Sequence, residues 1–338
     1  MFDPDLSDVL AAAARIGPFA HRTPVATCAT LDRLAGRSLH FKCEHLQKAG
    51  AFKFRGACNA LGRLSDEVAA RGVVTHSSGN HAGALALAAR LRGVRAHVVM
   101  PTSASATKRR AAREYGATIV DCAPTLEARE TTAAAVLAET GGTLVPPYDH
   151  PDVIAGQGTA ALELIEQVPG LDAIVAPIGG GGLVAGLCVA APAGVMVVAG
   201  EPEAVDDAAR SRAAGRLLPP TEGRSIADGL LTGLGAHTWP IVRDRVARVI
   251  TVSEDEIRAA LRLLWERAKL LCEPSAAVAF AAVLKPEFPP DLRRVAVVLS
   301  GGTGTWAPTA SITPSRITRV PLAMACPDTV TMRAPTRA

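Results

Sequence analysis

The chain has 338 residues, of which 49% are hydrophobic, so it is long enough for two ordinary domains or for one large α/β unit with an insertion. Its 36 lysines and arginines exceed its 32 aspartates and glutamates by only 4, which does not favour nucleic-acid binding, because that function needs a concentrated basic face. The seven cysteines form no Cys-x-x-Cys pair, and no signal peptide or uninterrupted membrane span is recognisable, so we expect a cytoplasmic protein without a disulfide framework, a structural zinc site or membrane contact.

Short runs rich in β-branched residues alternate with longer Ala-rich runs of helical period. Several of the short runs are apolar without alternation, which is typical of parallel strands covered by helices on both faces. We predict strands over residues 38–43, 72–76, 96–100, 118–121, 173–177, 195–200 and 295–299. We predict helices over residues 51–64, 80–91, 105–115, 126–139 and 152–167. This alternation predicts an open α/β fold.

The last third of the chain contains one clear helix start and a change of composition. Ser253 stands three residues before Glu256, the spacing of a capping box, and we predict that this helix runs to Cys272. From about residue 310 the chain is rich in Pro, Thr and Arg and has no sustained period. We therefore predict a disordered tail over residues 310–338.

Lys53 lies between two phenylalanines in the segment Gly-Ala-Phe-Lys-Phe-Arg-Gly-Ala. Apolar neighbours weaken the preference of an amine for its charged form, and a neutral amine is the nucleophile that a Schiff base requires. A surface lysine on an amphipathic helix is an equally good interpretation of this segment by itself. Motifs further along the chain decide between the two.

Four consecutive glycines, residues 179–182, follow a predicted strand and precede an apolar helix. Their backbone N–H groups and the helix N-terminus predict a phosphate site. The same loop also fits the dinucleotide fingerprint through Gly180, Gly182 and Ala185, with Glu201 near the end of the next strand. An NAD-dependent oxidoreductase is therefore an alternative from a different class.

Two further turns follow predicted strands, Thr-His-Ser-Ser-Gly-Asn-His-Ala at 75–82 and Leu-Ser-Gly-Gly-Thr-Gly at 299–304. The first offers hydroxyls and an amide at a helix N-terminus, although an ordinary helix cap also explains it. Ligands of open α/β sheets bind at the carboxyl ends of the strands, so we expect both turns, Lys53 and the glycine loop to meet at one crevice. That set suits pyridoxal phosphate, whose aldehyde, phosphate and ring atoms each need a partner.

In combination these motifs resemble the fold-type II pyridoxal-phosphate enzymes, in the branch of serine/threonine dehydratases and serine racemases, with the serine racemase pattern the most similar. The resemblance extends from about residue 24 to residue 302 and includes Ile-Ala-Gly-Gln-Gly-Thr at 154–159 and Glu-Pro-Ser-Ala at 273–276. It implies a fold like that of the tryptophan synthase β chain, with two open twisted α/β domains and the cofactor in the cleft. The implied large domain comprises residues 1–71 and 142–309, and the small mobile domain comprises residues 72–141.

The resemblance implies a role for each motif in holding the cofactor. Lys53 would bind it covalently and act as the catalytic base, Asn80 would bond the ring hydroxyl, and Ser300 would face the ring nitrogen. The complete implied cofactor-binding set is Phe52, Lys53, Asn80, Gly179, Gly180, Gly181, Gly182, Leu183, Glu273 and Ser300.

The resemblance also implies substrate and metal contacts. Ser78 would be the second catalytic residue, acting as an acid/base on the opposite face of the substrate Cα. A serine at this position is therefore compatible with racemisation. The implied substrate contacts are Ser77, Ser78, His81 and Arg129, although Arg129 equally fits a solvated helix face. Glu201, Asp207 and the Val205 carbonyl match a divalent-cation site that suits Mg²⁺ or Ca²⁺, with a solvated acidic loop as the alternative.

The predicted activity is α,β-elimination from L-threonine or L-serine, which yields a 2-oxo acid and ammonia. Serine racemase with a side dehydratase activity is the first alternative, and 3-hydroxyaspartate dehydratase is the second. More distant alternatives are the NAD-dependent oxidoreductase and a catalytically silent cofactor-binding protein. The expected form is a homodimer that acts on a small amino acid.

Overall fold

The computed structural model describes residues 4–77, 79–303 and 331–333. Its helices are α1 Leu6–Ile16, α2 Ala29–Ala35, α3 Lys53–Arg63, α4 Asp66–Ala70, α5 Asn80–Arg92, α6 Ala106–Glu114, α7 Leu126–Thr140, α8 Pro151–Gln167, α9 Gly182–Ala190, α10 Asp207–Ala214, α11 Thr238–Arg245, α12 Glu254–Leu263 and α13 Pro274–Val283. Its strands are β1 Val25–Thr27, β2 Ser38–Lys42, β3 Val73–His76, β4 Ala96–Pro101, β5 Thr118–Cys122, β6 Thr143–Leu144, β7 Ala173–Pro177, β8 Met196–Pro202, β9 Val246–Val252, β10 Arg294–Val298 and β11 Thr331–Arg333. Within these residues, no helix is long and apolar enough to cross a bilayer.

The strands of the described residues form two sheets. The larger sheet has the order β11-β1-β2-β10-β7-β8-β9. Its strands β2, β10, β7, β8 and β9 pair in parallel, and β1 pairs antiparallel with its neighbours β11 and β2. The smaller has the order β5-β4-β3-β6 and is parallel throughout. Residues Val295 to Leu299 are fully buried, as their continuous apolar pattern predicts. The α/β class predicted from the sequence is confirmed.

Each of the seven predicted strands is present, with ends that differ by at most two residues. The predicted end of the helix that starts at Ser253 is wrong. Helix α12 stops at Leu263, a π-helical turn continues to Ala268, and Lys269 adopts a left-handed conformation with φ +58°. That conformation ends the helix and turns Cys272 into the core, where it is 2% exposed.

Strand β11 comes from the segment 310–338 that the sequence predicts to be disordered, and it pairs with β1. The other residues of that segment lie outside the described residues. The smaller sheet spans residues 73–144, so β6 follows shortly after the predicted domain boundary at residue 141. The domain boundaries themselves remain predictions.

Helix α3 connects the two sheets and carries Lys53 at its first position. Its apolar face, which includes Phe54 and Leu61, packs in one core cluster with Val73 and other residues of the smaller sheet unit. Its other face crosses α8 so closely that a Cβ atom at Gly156 would lie 2.6 Å from the Cα atom of Gly56. Lys53 is therefore held between the two units.

Candidate active site

A cavity of about 180 Å³ lies where strands β3, β7 and β10 end. The described residues of its wall that the sequence predicts as site residues are Phe52, Lys53, Ser77, Asn80, His81, Arg129, Gly179, Gly180, Gly181, Gly182, Leu183, Glu273 and Ser300. Ser78 lies outside the described residues. The structure thus brings together the motifs that the sequence predicts to meet at the carboxyl ends of the strands.

The Lys53 amine is hydrogen-bonded to a backbone carbonyl and lies near an aromatic ring. Its Nζ atom donates a hydrogen bond to the Pro147 carbonyl at 2.7 Å and lies 5.0 Å from the centre of the Phe52 ring. Burial lowers the pKa of Lys53 to about 8, although the nearby Glu273 carboxylate favours the charged form. The neutral amine, which is the form that attacks an aldehyde, is therefore more abundant near neutral pH than it would be for an exposed lysine.

The glycine loop is crowded from both sides. A Cβ atom at Gly180 would lie 2.6 Å from the Tyr148 ring, and one at Gly181 would lie 2.7 Å from the Leu234 side chain. Gly181 also has φ +83°, which side chains rarely adopt, and it precedes the first residue of α9. Only glycines fit this turn, and the N-terminus of α9 behind them attracts an anion such as a phosphate.

Asn80, Glu273 and Thr303 form a hydrogen-bonded cluster on the opposite wall. Asn80 Nδ2 donates to Glu273 Oε1 at 2.7 Å, and the Thr303 hydroxyl donates to Asn80 Oδ1. Glu273 is 4% exposed, and burial raises its pKa, although Lys108 and Asn80 act in the opposite direction. The cluster can present amide, hydroxyl and carboxyl groups to the polar edge of a ring.

Ser300 lies two residues after the end of β10 and is buried at the cavity wall. Its carbonyl accepts a hydrogen bond from the Phe52 amide at 3.0 Å, and the next residue, Gly301, forms a bridge with Ala51. These backbone contacts fix the start of α3 relative to Ser300. The Ser300 hydroxyl is neutral and can donate to an unprotonated ring nitrogen.

His81 lies in the wall as a neutral imidazole. Its Nε2 atom donates to the Val145 carbonyl at 3.0 Å, and its buried Nδ1 atom has no hydrogen-bond partner among the described residues. Burial lowers the pKa of His81 to about 3, and the charge of Lys53 acts in the same direction. His81 can therefore accept a hydrogen bond but cannot attract a carboxylate as a cation.

Arg129 and Ser77 are the other predicted substrate contacts. Arg129, on α7, lines the cavity and donates only to the Thr125 carbonyl, at 3.3 Å, so it pairs with no carboxylate among the described residues. The Ser77 amide donates to the Val99 carbonyl at 3.0 Å, and its hydroxyl accepts from Gly79 at 3.3 Å. Arg129 remains available for an anionic ligand.

Tyr148, Lys108 and Asp228 are cavity residues that sequence reasoning missed. The Tyr148 ring covers the glycine loop. Lys108 lies on α6, and its Nζ atom donates a hydrogen bond to Asp228 Oδ2 at 2.5 Å; both residues line the cavity. Lys108 also lines, with Arg129, an adjoining cavity of about 220 Å³. The run Lys-Arg-Arg at 108–110 resembles a solvated helix face, so the sequence carries no signal for this role.

Glu201 and Asp207 are buried near each other at the start of α10. Glu201 accepts hydrogen bonds from the Ala208 and Ala209 amides, each at 2.8 Å, and burial raises its pKa to about 8. Asp207 Oδ2 has no partner among the described residues, which is the kind of oxygen that a hard cation satisfies. The same residues contain no cluster of three or more His, Cys, Asp or Glu side chains around a metal position, so a cation here would need carbonyl ligands such as Val205.

Comparison with known proteins identifies the family. The model of the family described as pyridoxal-phosphate dependent enzyme matches residues 16–301. Serine racemase of Dictyostelium discoideum is 48% identical over 304 residues, which cover 88% of this chain and 94% of that protein. The β-hydroxyaspartate dehydratase of Paracoccus denitrificans is 48% identical over 306 residues, 89% of this chain and 97% of that protein. The structure of maize serine racemase has a TM-score of 0.89 and 44% identity, and the match covers 90% of this chain and 95% of that one.

These matches favour pyridoxal phosphate over the dinucleotide alternative, and they agree with the crowded glycine loop and the desolvated lysine. They also confirm the resemblance predicted from the motifs. The chain belongs to the fold-type II family of pyridoxal-phosphate-dependent enzymes.

Proposed function

We propose that this protein racemises serine and eliminates water from it as a side reaction. The sequence motifs rank elimination from L-threonine or L-serine first, and the serine racemases among the relatives support the reverse order. The observation that carries the proposal is the buried Lys53 amine, with a pKa of about 8, in one cavity with the glycine loop and Ser300. A base poised near neutral pH suits removal of a proton from Cα.

Bound pyridoxal phosphate supplies the electron sink that weakens the Cα–H bond of an amino acid. The residues of this chain supply the rest. The glycine loop binds the phosphate, Lys53 takes the proton, and the Pro147 carbonyl holds its amine in place at 2.7 Å. Ser300 would bond the ring nitrogen without adding a charge, which would make the electron sink weaker than one supported by a carboxylate.

Racemisation requires a second acid/base group on the opposite face of Cα, and we assign this role to Ser78. Its neighbours Ser77 and Gly79 both line the cavity, which supports the assignment. Replacing Ser78 by Ala should lower racemisation by about 10²- to 10⁴-fold, because general acid–base catalysis contributes that much. Elimination, which needs only the Lys53 face, should survive, and an equal loss of both activities would contradict the assignment.

Dehydration of 3-hydroxyaspartate is the second candidate function. Its substrate carries an additional carboxylate, for which a cation in the cavity wall is a suitable partner. Lys108 and Arg129 line both this cavity and the adjoining cavity of about 220 Å³. The similarity to the β-hydroxyaspartate dehydratase of Paracoccus denitrificans supports this candidate. Since Lys108 is already paired with Asp228, Arg129 is the better candidate for the additional carboxylate.

One experiment separates these functions. The cofactor-loaded protein is incubated in turn with D-serine, L-serine, L-threonine and 3-hydroxyaspartate, and enantiomers, 2-oxo acid and ammonia are measured in each reaction. We expect interconversion of the serine enantiomers to be the fastest reaction. Product from 3-hydroxyaspartate alone would establish the second candidate, and inactivity on all four would favour a silent cofactor-binding protein.

We also propose a divalent cation on Glu201, Asp207 and the Val205 carbonyl, and a homodimeric cytoplasmic protein. The unpartnered Asp207 oxygen supports the cation, and the free cysteines of the described residues agree with a reducing compartment. Calorimetric titration with Mg²⁺ and Ca²⁺ should show binding that D207N abolishes and that D255N, an exposed control, leaves intact. Sedimentation analysis of the holoenzyme tests the dimer.

A further inference from the structure

Residues 145–149 connect the smaller sheet to α8, and successive groups of this connector contact the cavity wall. The Val145 amide donates to the Val74 carbonyl of β3 at 2.9 Å, and the Val145 carbonyl accepts from His81. Two residues later the Pro147 carbonyl accepts from Lys53. The connector therefore links the position of the smaller sheet to the position of the reactive amine.

Tyr148 continues the connector onto the glycine loop. The Tyr148 ring lies over Gly180, where an added Cβ atom would lie 2.6 Å from three ring carbons. A Cβ atom added at Gly182 would lie 2.9 Å from the Cβ atom of Tyr148. Tyr148 thus holds two alternate glycines of the loop from one side. Leu234 and Thr238 contact Gly181 on the other side of the loop.

Asp149 organises the residues on that other side. Its carboxylate accepts three backbone hydrogen bonds, from Ala236 at 2.9 Å, His237 at 2.8 Å and Thr238 at 3.0 Å. This contact is so close that a Cβ atom at Gly235 would lie 2.1 Å from the Asp149 carboxyl carbon. Residues 235–238 form the turn that leads into α11, which begins at Thr238. Asp149 therefore accepts hydrogen bonds from backbone amides that have no partner within the helix.

The loop that Asp149 anchors packs directly on Gly181. A Cβ atom at Gly181 would lie 2.7 Å from Leu234 and 3.0 Å from Thr238, and both of these residues are buried. The Thr238 hydroxyl in turn accepts from the Gly235 amide at 2.9 Å, which closes the turn. Asp149 therefore acts on Gly181 through residues 234–238, while Tyr148 contacts Gly180 and Gly182 directly.

We propose that Asp149 is a positioning residue for the cofactor phosphate. By binding three amides it holds residues 234–238 against Gly181, and the glycine loop is thereby shaped before the phosphate arrives. Four consecutive glycines have a large conformational entropy, which an unsupported loop would lose only on binding, at a cost in affinity. The inference rests on the assignment of the glycine loop to the phosphate.

The test compares two ligands that differ only in the phosphate. Binding of pyridoxal phosphate and of pyridoxal to the apoenzyme is titrated by absorbance for wild type and D149A. Loss of hydrogen bonds to a charged group corresponds to about 10- to 100-fold in affinity, so we expect pyridoxal phosphate to bind that much more weakly to D149A. Pyridoxal should bind both proteins with equal affinity, because it does not use the glycine loop.

Two further variants control the experiment. D149N keeps an acceptor oxygen but not the charge, so it should fall between wild type and D149A, and it carries the test if D149A does not fold. S253A removes the capping side chain of α12, which lies outside the cavity, and should weaken neither ligand.

An equal loss of affinity for both ligands in D149A and D149N would overturn the proposal, since it indicates a general structural role. Unchanged affinity for pyridoxal phosphate in both variants would also overturn it. Equal affinity of the wild type for the two ligands is a different result: it would refute the phosphate role of the glycine loop, and the positioning role of Asp149 would fall with it.

Discussion

Lys53 and Arg55 lie two residues apart on α3 but in opposite electrostatic environments. Arg55 is fully buried and donates to both oxygens of Glu44, each at 2.8 Å, and to both oxygens of Glu163, at 2.7 and 2.9 Å. Lys53 is hydrogen-bonded to one neutral carbonyl. The difference separates a charge that supports the fold from one that is kept reactive.

In the network around Arg55 each charge has an opposite partner. Burial by itself would raise the pKa of Glu44, but Arg55 and Lys42 hold it below its usual value. Burial also disfavours the charged Arg55, yet Glu44 and Glu163 raise its pKa above the ordinary range. Lys42 Nζ completes the network with a hydrogen bond of 2.6 Å to Glu163. Pairing thus favours the charged forms of Glu44 and Arg55.

In the cavity, burial is not offset by pairing. Lys53 and Glu273 form no ion pair within the part of the chain that the structure describes, and their pKa values shift toward the neutral forms. His81 is likewise kept neutral. Two sets of buried groups, one around Arg55 and one around Lys53, thus show that partners can reverse the effect of burial on a pKa.

The largest expected effect comes from breaking the Arg55 network. R55M leaves the fully buried Glu44 carboxylate without its main partner, and removing one member of a buried ion pair costs about 3–5 kcal/mol. Urea unfolding of the unliganded protein should show a loss of this size. A loss below about 1 kcal/mol would contradict a structural role for the network.

The second prediction concerns the charge of Lys53, which the variant K53M removes. The pKa of Lys53 is about 8 in the folded protein and 10.5 when unperturbed, so the folded state disfavours the ammonium form. Wild-type stability should therefore rise between pH 8 and 10.5, where the folded lysine loses a proton that the unfolded chain retains. Unliganded K53M lacks this term and should exceed the wild type in unfolding free energy below pH 8.

Unfolding curves of K53M and wild type at pH 7 and pH 10 test that sign. The difference between the two proteins should be largest at pH 7 and should shrink at pH 10. A wild type that is more stable than K53M at pH 7 would contradict the argument. K53M should also lose the visible, borohydride-sensitive absorbance of the bound cofactor.

A smaller effect is expected from the Glu273 carboxylate, which acts on Lys53. Glu273 favours the charged form of the amine, so E273Q should lower the pKa of Lys53 further below its usual value. Only the neutral amine captures an aldehyde, so the rate of cofactor uptake should rise with pH around 8 and its midpoint should move to lower pH in E273Q. Stopped-flow absorbance measures the midpoint, and E266Q, a surface variant, should leave it unchanged.

The smallest expected effect is at the surface. Arg258 pairs with Glu254 and Asp255 on α12, but its side chain is 46% exposed. R258M should therefore change the unfolding free energy by no more than about 1 kcal/mol. It is the matched control for R55M, and similar losses in the two variants would remove the distinction between buried and exposed pairs.

The sequence predicted features that depend on local pattern. The seven apolar strands, the capping box at Ser253 and the four-glycine turn each follow from the nearest neighbours in the chain. The helix that starts at Ser253 was predicted too long, because the left-handed residue that follows its π-helical end, Lys269, is not a glycine. Strand β6 was not predicted, since a two-residue edge strand has no readable pattern.

Tyr148, Asp149 and Lys108 could not be predicted as parts of the site, because their partners are distant in sequence. Tyr148 meets Gly180, Asp149 meets amides about ninety residues away, and Lys108 meets Asp228. Each looks like an ordinary loop or surface residue by its neighbours alone. The roles of Tyr148 and Asp149 follow from the crossing of the connector 145–149 over the glycine loop, and that of Lys108 follows from its contact with Asp228 across the cavity wall.

By itself the sequence determined the fold class, and it predicted Lys53 and the glycine loop as site residues, because these depend on local hydrophobic pattern and backbone freedom. Only the tertiary structure decided which charges are paired and which are left unpaired around the cavity. Lys53 and Arg55 illustrate the reason: the pKa values of two basic residues in one short motif shift in opposite directions, because Glu44 and Glu163, which lie beside Arg55, come from other parts of the chain.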